Sequence, residues 1–149
     1  MARIMMNKRM KKITTAIIAL ISLFIGSQYF NPSVVKFDTG SQGSIEQLYE
    51  TRQSGVMIEF GGMIEKLLSD DLKGSRHQRF IVKLDSGHTV LIAHNIDLAP
   101  RIPLKEGREV LVYGQYEWND KGGVVHWTHK DPRGLHEEGW INYQGHVYE

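Results

Sequence analysis

A chain of 149 residues, 41% apolar and 23% charged, holds one small folded domain plus an appended segment and is too short for two ordinary domains. It has no cysteine, which excludes disulfide frameworks, thiolate zinc sites, iron–sulfur ligation and cysteine nucleophiles. The net charge of +1 is unevenly spread: Arg3, Lys8, Arg9, Lys11 and Lys12 precede every acidic residue, and the rest of the chain carries 13 basic against 17 acidic residues, a balance of −4 that argues against nucleic acid as a partner.

The basic stretch runs into Ile13–Gly26, ITTAIIALISLFIG, which has neither charge nor proline. A basic region followed by an apolar run is the plan of a secretory signal and of an uncleaved anchor alike. With Ser27 to Phe30 included, the run reaches about 18 residues, the short end of a membrane-spanning helix. Tyr29 and Phe30 then stand as interfacial aromatics. Cleavage after Ser27 places Ile25 where a small residue is preferred. Residues 1–30 are therefore read as a signal peptide or a single transmembrane anchor, with the membrane a partner through this segment. The positive-inside rule puts Asn31 onward outside the cytoplasm, either anchored at the inner membrane or released to the periplasm. Residues 31–43, with Pro32, Gly40, Gly43 and three Ser/Thr residues, read as a linker.

From residue 44 onward the pattern is that of one β domain. Ser44-Ile45-Glu46-Gln47 is a capping box, and Ile45, Leu48, Tyr49 and Arg52 continue at helical spacing to Gly55. The period then changes to two. Val56, Ile58, Phe60, Gly62 and Ile64 share one face of a long strand, and Gly61-Gly62 within it predicts a bulge or sharp coil. Phe80, Val82 and Leu84 alternate with Arg79, Ile81 and Lys83 up to a turn at Asp85-Ser86-Gly87. His88–His94 returns as a strand, and Pro100 and Pro103 break the connection that follows. Val110, Val112, Gly114, Tyr116 and Trp118 line a second long strand, which Asn119-Asp120-Lys121-Gly122 turns back into Val124–His129. Asp131-Pro132-Arg133-Gly134 is a further turn, and Trp140–Tyr143 and His146–Tyr148 form a hairpin around Gln144-Gly145. A long coiled strand, a meander, a connection and a hairpin predict a mainly β fold: a small OB-like five-stranded barrel behind a short helix.

All seven histidines follow residue 76. His94 and the pair His126 and His129 fall at strand ends, which in a small barrel meet at one rim. Imidazoles and carboxylates without thiolates suit a divalent transition metal such as zinc, copper, nickel or iron, and His94, His126, His129 and His136, with Asp97 or Asp131, are the candidate ligands. On a regular strand, however, His126 and His129 point to opposite faces. One ion would reach both only if the strand bulged or ended between them. No HExxH run, P-loop or G-x-S-x-G elbow is present. Glu59, Glu65 and Glu117 read as solubilising positions on outer strand faces.

The runs GSRHQRFIVKL (Gly74–Leu84), LIAHNIDLAPRI (Leu91–Ile102), YEWNDKGGVVHWTHKDPRG (Tyr116–Gly134) and HEEGWI (His136–Ile141) resemble a bacterial domain-of-unknown-function family, family 3465. The resemblance covers Val56 to Tyr148. It implies a short protein with an N-terminal signal or anchor and carries no activity with it. It marks the polar runs as hallmark segments and so points to a ligand site among His77, Gln78, His94, Asn95, Asp97, Trp127 and Asp131, together with His126, His129 and His136. Three functions stay open from sequence: an envelope binding module for a polar small molecule, glycan or protein; a metal-dependent hydrolase, with a nuclease as one form; and a structural envelope component.

Overall fold

A computed structural model of the protein describes residues 44–149. The signal-or-anchor segment and the linker lie outside the described residues. Among the described residues no helix is long and apolar enough to cross a membrane.

Helix α1 (Ile45–Glu50) opens on Ser44, whose hydroxyl accepts the Gln47 N–H at 3.2 Å, and it buries Ile45 and Leu48 against the sheet. It ends at Glu50, five residues before the predicted stop. The Thr51 hydroxyl bonds back to the Gln47 carbonyl, and Arg52 rather than Gly55 takes the first left-handed conformation, at φ 54°.

Seven strands follow: β1 (Val56–Leu67), β2 (His77–Lys83), β3 (Thr89–Asn95), β4 (Glu109–Glu117), β5 (Val124–His126), β6 (Trp140–Tyr143) and β7 (His146–Tyr148). They pair in the order β1-β2-β3-β5-β4, and β4 pairs again with β1, which closes a five-stranded barrel. The β6–β7 hairpin is additional and extends the sheet from β4 at Leu111–Tyr113, beyond the stretch that pairs with β5. Closure gives each barrel strand a partner on both sides over part of its length.

Strand β1 serves two partners, which is how the barrel closes. Val56–Met63 lies against β4 and Met63–Leu67 lies against β2. At the crossover a Cβ on Gly62 would stand 2.6 Å from Val82 Cγ1 and 2.7 Å from the Lys83 carbonyl, so only glycine fits. The bulge itself is not at Gly61-Gly62 but between Ile64 and Lys66. The glycine supplies close approach and not the extra residue.

The inward face carries Ile58, Phe60, Phe80, Val82, Ile92, Val112, Tyr116 and Val125, all buried, and the period-two alternation read from sequence sets each of them. Trp118, which follows the last residue of β4, is partly buried at the core's margin: its indole N–H donates to the Tyr49 carbonyl, and Arg52 lies over its ring. Among the described residues a continuous buried core runs from Ile45 to Tyr143, and the domain is expected to fold without residues 1–30.

Candidate functional site

The pairing pattern decides where the polar runs meet. Strands β3 and β5 are parallel, with Leu91 opposite Val124 and Ile92 opposite Val125, so both C-terminal ends lie at one end of the barrel. Antiparallel β2 begins there, with His77 opposite Asn95. Phe80, Ile92 and Val125 face inward, and by alternation His77, Asn95 and His126 face outward.

The chain after β5 turns back over this outer face. Strand β5 stops at His126, and Trp127 takes φ 53°, which a bulky residue rarely adopts. This break removes the strand parity that would have set His126 and His129 on opposite sides. Gly139 completes the return: its N–H donates to the His129 carbonyl, and a Cβ there would fall 2.1 Å from the Trp127 carbonyl oxygen and 2.5 Å from that of Tyr113.

Between the sheet and this loop lies a cavity of about 650 Å³. It brings together His77, Asn95, Asp97, Trp127 and Asp131 with His126, His129 and His136. Ser75, Leu98, Pro132, Arg133 and Leu135 complete the lining. Sequence reading had not placed these five at a site, although the Asp131–Gly134 turn that carries two of them was legible.

Gln78 and His94 do not line this cavity. Both lie on the inward face, in phase with Phe80 and with Ile92, and both are buried. The Gln78 amide clamps the main chain of Ile102, donating to its carbonyl at 2.8 Å and accepting its N–H at 3.0 Å. His94 Nε2 bonds the Pro100 carbonyl at 3.2 Å, so it carries the proton, and Nδ1 accepts from the Thr128 hydroxyl at 2.9 Å. Both nitrogens are thus engaged, and burial pushes the imidazole down to about 4. Replacing Gln78 with Leu leaves the Ile102 N–H and carbonyl unpartnered. A loss of about 2 kcal/mol is expected, read by urea denaturation, with ligand binding unchanged in the folded variant.

Three of the four imidazoles that line the cavity share a pattern. His77 Nδ1 bonds the Ser75 carbonyl at 2.8 Å, His129 Nδ1 the Lys130 carbonyl at 2.7 Å, and His136 Nδ1 the Glu137 carbonyl at 2.7 Å. A carbonyl only accepts, so Nδ1 holds the proton in each case; the neutral rings of His77 and His129 offer Nε2 as an acceptor, whereas His136 Nε2 faces the Asp131 carboxylate at 3.9 Å. His126 differs: its Nε2 is buried with no hydrogen-bond partner among the described residues, and the Glu117 carboxylate stands at 3.8 Å. Burial lowers its proton affinity, which Glu117 partly restores.

Trp127 is enclosed by histidines. It stacks on His136 with centroids 4.2 Å apart and planes at 8°, it meets His126 at 5.0 Å, and His129 abuts His136 edge-on. Its ring therefore builds the wall and is not an open stacking platform.

The two aspartates hold the loops. The Asp131 carboxylate accepts the main-chain N–H groups of Arg133, Leu135 and His136, and the Arg133 bond is the main cause of its lowered proton affinity. Asp97 accepts the Arg76 N–H at 2.7 Å and its guanidinium at 2.6 Å, which lowers its proton affinity in the same way. Arg101 forms a two-pronged ion pair with Asp70, a second tie between the β1–β2 loop and the β3–β4 connection.

Among the described residues no three His, Asp or Glu side chains converge on a point that could hold a metal ion. The four candidate histidines divide accordingly: His94 is bonded on the inward face, while His126, His129 and His136 surround Trp127.

A family model described as a protein of unknown function (DUF3465) matches residues 30–149. The search of curated proteins found no match.

Proposed function

The chain belongs to the DUF3465 family, and from that premise we propose that it is a binding module of the cell envelope whose outer-face cavity takes a small polar ligand rich in hydrogen-bond donors. The observation that carries this reading is the convergence of His77, Asn95, Asp97, His126, His129, Asp131 and His136, from three separate chain segments, on one cavity. Its volume falls within the range of about 300–1,000 Å³ usual for small-molecule sites. The neutral rings of His77 and His129 offer acceptor nitrogens, and the Nε2 of His126, with the Glu117 carboxylate at 3.8 Å, has no hydrogen-bond partner among the described residues. Hydroxyls and amines are the complementary groups.

We read the barrel as OB-like. The closed order β1-β2-β3-β5-β4-β1, the long coiled first strand and the parallel β3–β5 closure support this, although residues 96–108 stand where many OB-folds carry a helix. Such folds use the outer face of strands 2 and 3 for sugars and nucleotides, a fold-level analogy that agrees with the position of this cavity. The envelope location is supported by the basic cluster Arg3–Lys12 ahead of the apolar run Ile13–Gly26.

The test is a binding series with glycerol, methyl β-D-glucoside and glucosamine on residues 31–149 near neutral pH, followed by amide chemical shifts. At least one probe is expected to bind, and His77→Ala, a half-buried position that keeps the core intact, is expected to weaken it about tenfold, the worth of one lost hydrogen bond to a ligand. Absence of binding by all three, or unchanged affinity in both His77→Ala and His136→Ala, would overturn the reading.

A further inference from the structure

The mouth of the cavity differs in chemistry from its interior. Leu98 and Leu135 both line it, yet Leu98 is 49% and Leu135 71% exposed, among the most exposed large apolar side chains described. They lie on different segments, the β3–β4 connection and the β5–β6 loop, and Pro132 lines the cavity with them. Both loops are held in place. The first is tied by Arg76–Asp97 and Arg101–Asp70, the second by the Asp131 carboxylate on three main-chain N–H groups. The leucines are therefore presented on braced loops over a polar interior.

An apolar lip over a polar, acceptor-lined chamber fits one kind of molecule. We infer that the ligand is an amphipath: a hydroxyl- or amine-bearing head enters the histidine-lined chamber, and an alkyl tail leaves across Leu98 and Leu135. This rests on the binding-module reading and adds the ligand class. A purely polar ligand gains nothing from two exposed leucines, whereas each tail methylene laid on them is removed from water. The sequence reading supports the same occupant. If residues 1–30 anchor the chain, the 13-residue linker from 31 to 43 spans at most about 45 Å extended, which keeps residue 44 within that distance of a bilayer, the source of such molecules.

The experiment compares octyl β-D-glucoside, below its micelle concentration, with methyl β-D-glucoside on residues 31–149. The head is the same and only the tail differs. The octyl compound is expected to bind about tenfold tighter, the worth of roughly two buried methylenes. Its additional amide shifts are expected at Leu98 and Leu135. The double variant Leu98→Ser/Leu135→Ser, exposed positions whose change leaves the core untouched, is expected to bring the octyl affinity down to the methyl value and leave the methyl value unchanged. Equal affinities with shifts at the cavity would overturn the amphipath and leave the binding module standing. No response to either glucoside at the cavity would overturn the amphipath, and the binding module would then be decided by glucosamine and glycerol. An octyl preference that survives the double variant, or that maps to Met63, Leu67 or Val147, would overturn the amphipath.

Discussion

Lowering the pH from neutral to just above 4 is expected to cost the domain about 3 kcal/mol of stability, and His94 is the principal cause. The imidazole is fully buried, and burial brings its pKa from 6.5 to about 4. The main-chain groups of Pro100 and Thr128 oppose this, and the nearby His129 and His77 add to it. Above 6.5 the ring is neutral in both folded and unfolded chains, so its contribution is complete. Between 6.5 and about 4 the unfolded chain takes up a proton that the folded chain refuses, and stability falls throughout that window. Burial lowers His126 in the same direction. Asp97 and Asp131, held low by hydrogen bonds, contribute to acid sensitivity only as the pH falls through the ordinary carboxylate range and below. Urea denaturation across the histidine window measures the slope. His94→Gln is less stable at neutral pH, because one of its two bonds is lost, and its slope should be distinctly shallower. An unchanged slope in that variant would remove His94 as the cause.

Gly139→Ala is expected to destabilise the domain by about 3 kcal/mol and to abolish the cavity. The added methyl meets the Trp127 carbonyl oxygen, the Tyr113 carbonyl oxygen and the Thr128 Cα, all of them backbone. No side-chain rotation relieves that contact, so the return of residues 127–139 onto the sheet has to open. Trp127, His129 and His136 move with it. The signature is a lower denaturation midpoint together with loss of the fluorescence and histidine ring shifts that report the Trp127–His136 stack. Gly145→Ala is the control: it sits at φ 80° in the β6–β7 turn with open space around its Cβ position, so its cost is backbone strain alone, of about 1 kcal/mol. A Gly139→Ala variant as stable as Gly145→Ala would contradict the close return of the loop.

Much of the barrel was legible because the described strands alternate cleanly. Val90 and Ile92, or Phe80 and Val82, place their neighbours without further information, and the turn residues at Gly87, Gly122 and Gln144-Gly145 mark the reversals. The same alternation already carried a signal about two candidate residues. Gln78 is in phase with Phe80 and His94 with Ile92, so both belong to the inward face and hold the barrel together. Other features were not legible because they depend on tertiary contacts. The left-handed Trp127, which joins His126 and His129 to one cavity, has no local sequence cue, since nothing in the residue itself favours that conformation. Gly62 looked like a bulge, but its role is set by the distance to Val82 on another strand. The exposed leucines at the mouth carry no periodic signal at all.

The most direct measurement is an amide chemical-shift map of residues 31–149 titrated with methyl β-D-glucoside and glucosamine near neutral pH. The expected result is a saturable set of shifts confined to residues 75–77, 95–98 and 126–136, with the α1 and Trp118 end of the barrel unmoved. Saturable shifts centred elsewhere, or none from either probe, would contradict a donor-binding site on the outer face of β2, β3 and β5.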